Sequence, residues 1–344
     1  MCIFALKDAI DHYVSKSSCV YLCFMDASKA FDKLNHWFLF DKLMKRGLPS
    51  LIVRLLIFWY SKQRFATKWL NVISAFFTVS NGVRQGGIMS PLLYNVFMDD
   101  LSKELVKSKV GCYIGNMCIN HLMYADDSVL LAPSPYALQK LIGICEQYAK
   151  NNEVVYNSKK TVCMVIKSKK LRDVAIPDIT LNGINLKWID FHKYLGFYLR
   201  NDMSDCDDIK RQMQAIYSKG NMILRKFRKC TDNVKCVLFK AHCMNFYCCQ
   251  LWSSFRKSLY SRIKVAYNNV FRQLFKIDRN EHISAQYVSK GINAFDVVVR
   301  KAAYYLKSRL CNSNNTILQA IINSGFHVLG SAIYNQWKKV LYRF

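Results

Sequence analysis

Acidic residues are scarce in this sequence. Its 344 residues include 23 Asp and Glu against 50 Lys and Arg, which gives a formal net charge of +27. The imbalance is strongest after residue 200, because residues 201–344 carry 24 basic and 8 acidic side chains. A chain this basic repels itself unless it meets a polyanion. Nucleic acid is therefore the leading class of partner, and an anionic membrane surface is the second.

Long apolar runs and secretion signals are lacking as well. The best apolar run, LIVRLLIFWY at residues 51–60, is too short to span a bilayer and contains Arg54. The N-terminus, MCIFALKDAIDHY, has neither a basic leader nor a long apolar segment, so it does not resemble a signal peptide. The 14 cysteines follow no small secreted framework and suit free thiols in a reducing compartment. We expect a cytoplasmic or nuclear protein without a membrane partner.

Proline is rare, with 5 residues, and the sequence contains neither an internal repeat nor a low-complexity tract. A hydrophobic fraction of 52% is enough to build a full core. Strand-like and helix-like patterns alternate up to about residue 200, and beyond it basic and apolar residues recur at helical spacing. We predict an α+β fold with a mixed domain over residues 1–200 and a basic, mostly helical domain over residues 201–344.

Local patterns predict the individual elements. The predicted helices are 1–14, 28–46, 50–61, 90–106, 135–150, 204–229, 233–250, 258–275, 295–310 and 330–342. The predicted strands are 19–26, a pair within 64–80, a hairpin over 121–132, and 161–166, 179–187 and 193–199. The glycine-rich stretch NGVRQGG (81–87) predicts a loop, after which Ser90 is expected to cap the next helix with Pro91 in its first turn.

Three aspartates stand at ends of predicted strands. Asp126 and Asp127 lie at the tip of the hairpin in HLMYADDSVLLAPS (121–134), and Asp26 ends the buried strand 19–26. Adjacent carboxylates raise each other's pKa, so a counter-charge is expected there. Carboxylates from separate strands that converge on two cations form a two-metal site, and Mg²⁺ binds through carboxylates together with substrate phosphates. We expect Mg²⁺ between Asp26 and Asp126, with Asp127 close by, whereas the adjacent pair alone would also fit a solvated turn.

Five segments in a fixed order carry a family resemblance. They are FMDASKAFD (24–32), NGVRQGGIMSPLLYNVFMDDL (81–101), YADD (124–127), NSKKT (157–161) and KYLGFYL (193–199). In this order they resemble the A, B, C, D and E motifs of reverse transcriptases, above all those of non-LTR (LINE-type) retrotransposons. The resemblance covers roughly residues 3–200, and VLFKAHCMNFYCCQLW (237–252) resembles the start of the family's thumb. It implies a right-hand polymerase palm, with helices packed on an antiparallel sheet, followed by a helical thumb and C-terminal region.

The resemblance also implies an activity and its partners. The chain would be an RNA-directed DNA polymerase that uses an RNA template, a DNA primer and deoxynucleoside triphosphates. Asp26 and Asp126 would hold two Mg²⁺ ions, or Mn²⁺ in their place, with support from Asp127. Phe31 would exclude a ribose 2′-OH by shape. The remaining matched residues would contact the incoming nucleotide and template base (Arg84, Gln85, Gly86), donate a proton to pyrophosphate (Lys160) and grip the primer end (Lys193, Tyr194, Leu195, Gly196).

The sequence departs from the family in two respects. A glycine usually begins the fourth motif, and Glu153-Val154 stands there instead. Family members also carry an endonuclease and a basic fingers segment ahead of the part that resembles residues 3–16, so we expect an N-terminally truncated reverse transcriptase. Two alternatives stay open: a non-catalytic nucleic-acid-binding remnant, and a reverse transcriptase of the group II intron type. The run from KYLGFYL straight into a helical region favours the LINE-type interpretation.

Overall fold

The chain divides into two units in the computed structural model, which describes residues 1–168, 170 and 176–342. The sheet unit comprises Cys19–Val165 and Asp173–Ile189, and the helical unit comprises Met1–Ser18, Ile166–Arg172 and Asp190–Phe344. The N-terminal helix thus groups with the C-terminal residues, which composition did not indicate. The boundary near residue 200 stays a prediction about domains.

Helices and short strands make up most of the described residues. The strands are β1 Val20–Asp26, β2 Arg64–Phe65, β3 Lys68–Trp69, β4 Val72–Ile73, β5 Phe77–Thr78, β6 Cys112–Ile114, β7 Met117–Ile119, β8 His121–Tyr124, β9 Asp127–Ala132, β10 Val162–Ile166, β11 Thr180–Leu181, β12 Ile184–Asn185, β13 Lys187–Trp188, β14 Phe191–Tyr194 and β15 Phe197–Arg200. The helices are α1 Cys2–Ser15, α2 His36–Lys45, α3 Ser50–Ser61, α4 Ser90–Lys107, α5 Pro135–Asn152, α6 Cys206–Lys226, α7 Asp232–His242, α8 Lys257–Phe275, α9 Ile283–Ser289, α10 Phe295–Cys311, α11 Thr316–Ile322, α12 Gly325–Leu329 and α13 Ala332–Leu341. Among these helices, none combines the length and the apolar character needed to cross a lipid bilayer.

A five-stranded sheet forms the centre of the sheet unit, in the order β13-β10-β1-β9-β8. Strand β1 is buried along almost its whole length, as its continuous apolar sequence predicts for an inner strand. It pairs antiparallel with β9, which turns back from β8 through the predicted hairpin. Helices α2–α5 supply much of the apolar core that lies with the sheet, including Leu39, Leu101, Leu141 and Tyr148. The core fixes the sheet, and the polar residues that end β1 and begin β9 lie side by side at one end of these central strands.

The helix predicted over residues 28–46 is wrong in its first half. Helix α2 begins at His36, where Asn35 accepts hydrogen bonds from the backbone N–H groups of Trp37 and Phe38. Several backbone groups of residues 28–35 bind distant segments, because the Ser28 N–H donates to the Val155 carbonyl and the Leu34 carbonyl accepts from the Gly82 N–H. The N–H groups of Asp32 and Lys33 donate to the Lys29 carbonyl, which makes a local turn there. An N–H group that binds a distant carbonyl is not available for a helical bond, so the segment does not continue as a helix.

Other elements differ from prediction for similarly non-local reasons. Ser90 is the first residue of α4 and does not cap it, since its hydroxyl donates to the Arg84 carbonyl at 2.5 Å. The strand pair predicted within 64–80 consists of four two-residue strands, and the helix predicted over 233–250 ends at His242. The hairpin of β6 and β7 and the short helices α9, α11 and α12 were not predicted. The remaining helices and the hairpin of β8 and β9 are confirmed to within a few residues.

A buried ion pair organises the helical unit. Lys7 of α1 is 2% exposed, and its Nζ donates to Asp205 Oδ1 at 2.5 Å and to the Leu251 carbonyl at 2.9 Å. The second oxygen of Asp205 accepts from the backbone N–H groups of Ser253 and Ser254. A buried pair of charges is tolerated when the remaining lone pairs are satisfied in this way. Lys7 therefore joins the N-terminal helix to the start of α6.

Candidate active site

Asp26 and Asp127 face each other across two paired strands. Asp26 is the last residue of β1, Asp127 is the first of β9, and the two are direct partners in the antiparallel register. Directly opposed residues project to the same face of a sheet, with Cβ atoms roughly 4.5–5.5 Å apart. The register therefore places these two carboxylates side by side at the end of the central strands.

Asp126 stands on the tight turn next to them. Tyr124 pairs with Asp127, so Ala125 and Asp126 form a two-residue loop between β8 and β9. Ala125 has a φ of +53°, in the left-handed region that disfavours residues other than glycine. Tyr124 is 63% exposed, so its side chain is not part of the core. The turn holds Asp126 at the exposed tip, adjacent in sequence to Asp127.

The carboxylates repel one another. Burial raises the pKa of Asp127, and the neighbouring charges of Asp126 and Asp26 raise it further. The pKa of Tyr94 is also raised, first by burial and then by the charge of Asp126. The charges of Asp26 and Asp126 thus both act on the carboxyl group of Asp127. Such a cluster is stabilised by a cation.

The donor set suits a hard divalent cation. Among the described residues, no group of three or more His, Cys, Asp or Glu side chains is gathered so that it could hold a metal ion by itself. Mg²⁺ does not need such a cage, because it commonly binds through one or two carboxylates and takes its other ligands from water and substrate phosphates. The paired carboxylates of Asp26 and Asp127, with Asp126 on the adjoining turn, are ligands of the chemical type that Mg²⁺ prefers.

The fourth motif fixes the position of Asp26. The backbone N–H of Asp26 donates to Thr161 Oγ1 at 3.1 Å, and its carbonyl accepts from the Asn157 N–H at 2.8 Å. Lys160 lies in the same turn. Its backbone N–H donates a hydrogen bond to the Asn157 carbonyl, and its side chain is exposed. The structure therefore brings the segment of Lys160 onto the end of β1. Sequence spacing did not reveal the part played by Thr161 and Asn157.

The departure of this motif from the family pattern has a visible consequence. Glu153 follows the last residue of α5 with a φ of +56°, a left-handed conformation that favours glycine. Its exposed side chain accepts a hydrogen bond from Asn35 Nδ2 at 2.9 Å. The glycine usual in the family would adopt this conformation without strain.

Glu153→Gly is accordingly expected to stabilise the chain. Glycine relieves the strain of the left-handed backbone, but it also makes the unfolded chain more flexible and removes one exposed hydrogen bond. The first effect is expected to be larger, so the free energy of unfolding rises by about 0.5 kcal/mol. Urea denaturation measures the change. The matched control is Lys150→Gly, at an exposed helical position of α5, which is expected to destabilise by about 1 kcal/mol. A loss of stability in Glu153→Gly like that of the control would contradict this account.

The glycine-rich loop is bonded to the turn that follows Asp26. The N–H groups of Gly82 and Val83 donate to the carbonyls of Leu34 and Phe31, both at 2.7 Å. Phe31 is half-buried, and its ring stacks on Tyr94 with a centroid distance of 4.7 Å and an interplanar angle of 24°. Phe31 is thereby held by its backbone and by its ring. Tyr94 is a supporting residue that sequence reasoning missed.

Three predicted substrate contacts lie on the exposed part of this loop. Arg84, Gln85 and Gly86 are all exposed, and Gln85 Nε2 donates to Asp32 Oδ1 at 3.1 Å. Asp32 thus orients the Gln85 side chain. An open cavity of about 570 Å³ lies beside them. Its lining includes Asp32, His36, Phe65, Phe77, Arg84 and Gln85.

The predicted primer grip belongs to the helical unit. Lys193 and Tyr194 end β14, and Leu195 and Gly196 form the two-residue turn to β15 with φ values of +46° and +78°. Two successive positive φ angles are typical of a type I′ hairpin turn. Tyr247 supports the turn, since its hydroxyl donates to the Leu195 carbonyl at 2.8 Å. Lys193 is exposed and Tyr194 is buried.

Known proteins share this sequence pattern. The chain matches the family described as reverse transcriptase (RNA-dependent DNA polymerase) over residues 3–199. It is 30% identical over 182 residues to the retrovirus-related Pol polyprotein from type-2 retrotransposable element R2DM of Drosophila melanogaster, covering 51% of this chain and 17% of that protein. It is 27% identical over 278 residues to the probable RNA-directed DNA polymerase from transposon X-element of the same organism, covering 78% of this chain and 29% of that protein.

A solved structure is also similar. Apo telomerase from Candida tropicalis aligns over 93% of this chain and 56% of its own, with a TM-score of 0.46 and 11% identity. The chain spans less than a third of the length of the two curated relatives above. Their names confirm the predicted likeness to retrotransposon polymerases. The helices and the five-stranded sheet confirm the predicted α+β fold, but the sheet is not wholly antiparallel as predicted, because β10 and β13 pair in parallel. Because the family match covers more than half of its length, the chain belongs to the reverse transcriptase family.

Proposed function

We propose that this chain is an RNA-directed DNA polymerase that extends a DNA primer on an RNA template with deoxynucleoside triphosphates. The observation that carries the proposal is the pairing of Asp26 with Asp127 across β1 and β9, with Asp126 on the adjoining turn. This arrangement suits nucleotidyl transfer, in which positioning and charge neutralisation supply most of the catalysis.

Asp26, Asp126 and Asp127 would hold the divalent cations. When bound, two such cations activate the primer 3′-OH and neutralise charge on the leaving pyrophosphate. The chain's own residues would do the rest. Phe31 closes the space at the sugar, the Gln85 amide is oriented by Asp32, and Lys160 offers a proton to pyrophosphate from the turn bonded to Asp26. Lys193, Tyr194, Leu195 and Gly196 would contact the primer end, and Arg84 and Gly86 the nucleotide.

Primer extension on RNA tests the proposal. The complete chain is given an RNA template, an annealed DNA primer, deoxynucleotides and Mg²⁺, while affinity for the same duplex is measured by fluorescence anisotropy. Extension that stops on addition of a chelator is expected. Salt-sensitive binding without any extension would overturn the proposal, and would identify the chain as the non-catalytic nucleic-acid-binding protein that its net charge of +27 also permits.

Phe31→Val is expected to weaken selection against ribonucleotides. The smaller side chain opens space at the ribose, and a contact of this kind is worth about 10- to 100-fold in relative kcat/KM. The measurement is single-nucleotide incorporation of a ribonucleotide against its deoxy counterpart. Tyr94→Phe serves as the control, because it keeps the ring that Phe31 stacks on and removes only the hydroxyl. Unchanged selectivity in Phe31→Val would exclude a role for this ring at the sugar.

A further inference from the structure

A basic pocket lies in the helical unit, next to the end of the strand that carries the fifth motif. It has a volume of about 250 Å³ and is formed by the end of β15, the first turn of α6, the first two turns of α8, and the residues before these helices. Its polar lining includes Arg200, Ser204, Lys210, Arg256, Ser258 and Arg262. Four cations and two hydroxyl groups thus border one small concavity.

The acid in this pocket does not neutralise it. Asp207 accepts from Arg200 Nη1 at 2.8 Å and from Lys210 Nζ at 2.9 Å, and these partners lower the pKa of its carboxyl group. Arg200 is shared further with Asp202, whose Oδ1 lies 3.1 Å from Arg200 Nε. The acidic groups are therefore already occupied by two of the four cations.

Arg256 and Arg262 hold the unbalanced charge. Both side chains are exposed, and neither forms an ion pair with any residue that the structure describes. They lie six residues apart, one immediately before α8 and one in its second turn. Arginine can bind a phosphate through two parallel N–H groups. Because no carboxylate pairs with Arg256 or Arg262 among the described residues, their guanidinium N–H groups are available for a phosphate. The first turn of α8 adds backbone N–H groups that prefer an anion.

We propose that this pocket binds a backbone phosphate of a nucleic-acid strand, with Arg256 and Arg262 as its principal contacts. The inference rests on the proposed function, since it assigns one contact to the nucleic acid that a polymerase must hold. A strand is favoured over a free phosphate because the pocket is open to solvent and belongs to a unit rich in positive charge, which attracts a polyanion over many residues.

RNA binding by the complete chain tests the inference. Anisotropy titrations are made over a range of NaCl concentrations in the presence of a chelator, so that no turnover occurs. Arg256→Gln/Arg262→Gln is expected to weaken binding about tenfold at low salt and to reduce the slope of log K against log[NaCl] by about one. Arg256→Lys/Arg262→Lys keeps both charges and is expected to retain most of the slope.

The matched control is Arg279→Gln/Arg300→Gln, which removes the same charge from two exposed arginines outside the pocket. A slope and affinity equal to those of the control would overturn the inference.

Calorimetry with inorganic phosphate separates the two sources of phosphate. If the pocket variant loses tight binding of inorganic phosphate while its RNA affinity is unchanged, the pocket serves a free anion and the inference fails. Primer extension is scored separately, so an inactive chain with the predicted change in slope contradicts the proposed function and not this inference.

Discussion

Asp126→Asn/Asp127→Asn is expected to reduce RNA-templated primer extension by roughly three orders of magnitude or more. The amides keep the shape of the turn and remove the two negative charges that would bind the cations. A thousandfold loss corresponds to about 4 kcal/mol of transition-state stabilisation. Single-turnover extension with the primer–template at saturating concentration measures the effect without interference from weaker binding.

Asp41→Asn is the control for this experiment. Asp41 is a half-exposed carboxylate on α2 whose Oδ2 lies 2.7 Å from Lys45 Nζ, so its replacement removes a surface ion pair and no part of the site. It is expected to leave the extension rate within about twofold. Extension by the double variant at the rate of this control would exclude the hairpin tip from catalysis.

The same double variant provides a readout that is independent of activity. The pKa of Asp127 is raised in the folded chain, which means that folding disfavours the ionised carboxylate. The favourable contribution of the protonated Asp127 to the free energy of unfolding is complete at a pH below the pKa of the unfolded chain. It is lost as the pH rises through the pKa of the folded chain. Without divalent cations at pH 7, the double variant is therefore expected to melt at a higher temperature than the wild type. The difference is expected to shrink as the pH falls towards 4.

Gly82→Ala is expected to destabilise the sheet unit by about 2–4 kcal/mol and to displace the loop that carries Gln85. Gly82 has a φ of +91°, and a Cβ atom there would lie 2.5 Å from the Asp32 carbonyl oxygen. That oxygen belongs to the backbone and cannot move aside as a side chain can. Urea denaturation measures the stability, and primer extension measures the consequence for the site.

Gly47→Ala separates the two causes of this effect. Gly47 has a similar φ of +76°, with no atom within 4 Å of the position of a Cβ. Gly47→Ala therefore places alanine in an unfavourable backbone conformation without any steric clash at its Cβ. The free energy of unfolding is expected to fall by about 1 kcal/mol. If the two variants were equally destabilised, the close approach between the glycine-rich loop and the Asp32 backbone would not be what holds the loop.

Local sequence patterns were sufficient for the centre of the candidate site. A continuous apolar run that stops at Asp26 predicts strand β1. Apolar residues on both sides of the two adjacent aspartates predict the hairpin of β8 and β9. Both signals lie within a few residues of the feature that they predict. The motif order then predicted that Asp26 and Asp126-Asp127 would meet, and the strand register brings Asp26 and Asp127 together.

The parts that sequence could not supply depend on distant partners. Residues 28–35 look helical by apolar spacing, yet their backbone binds residues 82, 83 and 155, and no local pattern records those bonds. The orientation of Gln85 by Asp32 joins side chains 53 residues apart. Likewise, nothing near Lys7 in the sequence predicts that its side chain is buried, because its partner Asp205 lies far along the chain.

Iron-mediated cleavage of the polypeptide locates the bound divalent cation directly. Fe²⁺ binds at sites that accept Mg²⁺ and, with ascorbate and peroxide, generates radicals that cut the backbone nearby. We expect cuts next to Asp26 and next to Asp126-Asp127, which excess Mg²⁺ suppresses and which are lost in Asp126→Asn/Asp127→Asn. Cleavage confined to other segments, or a pattern that the double variant leaves unchanged, would contradict the assignment of these three carboxylates to the divalent cations.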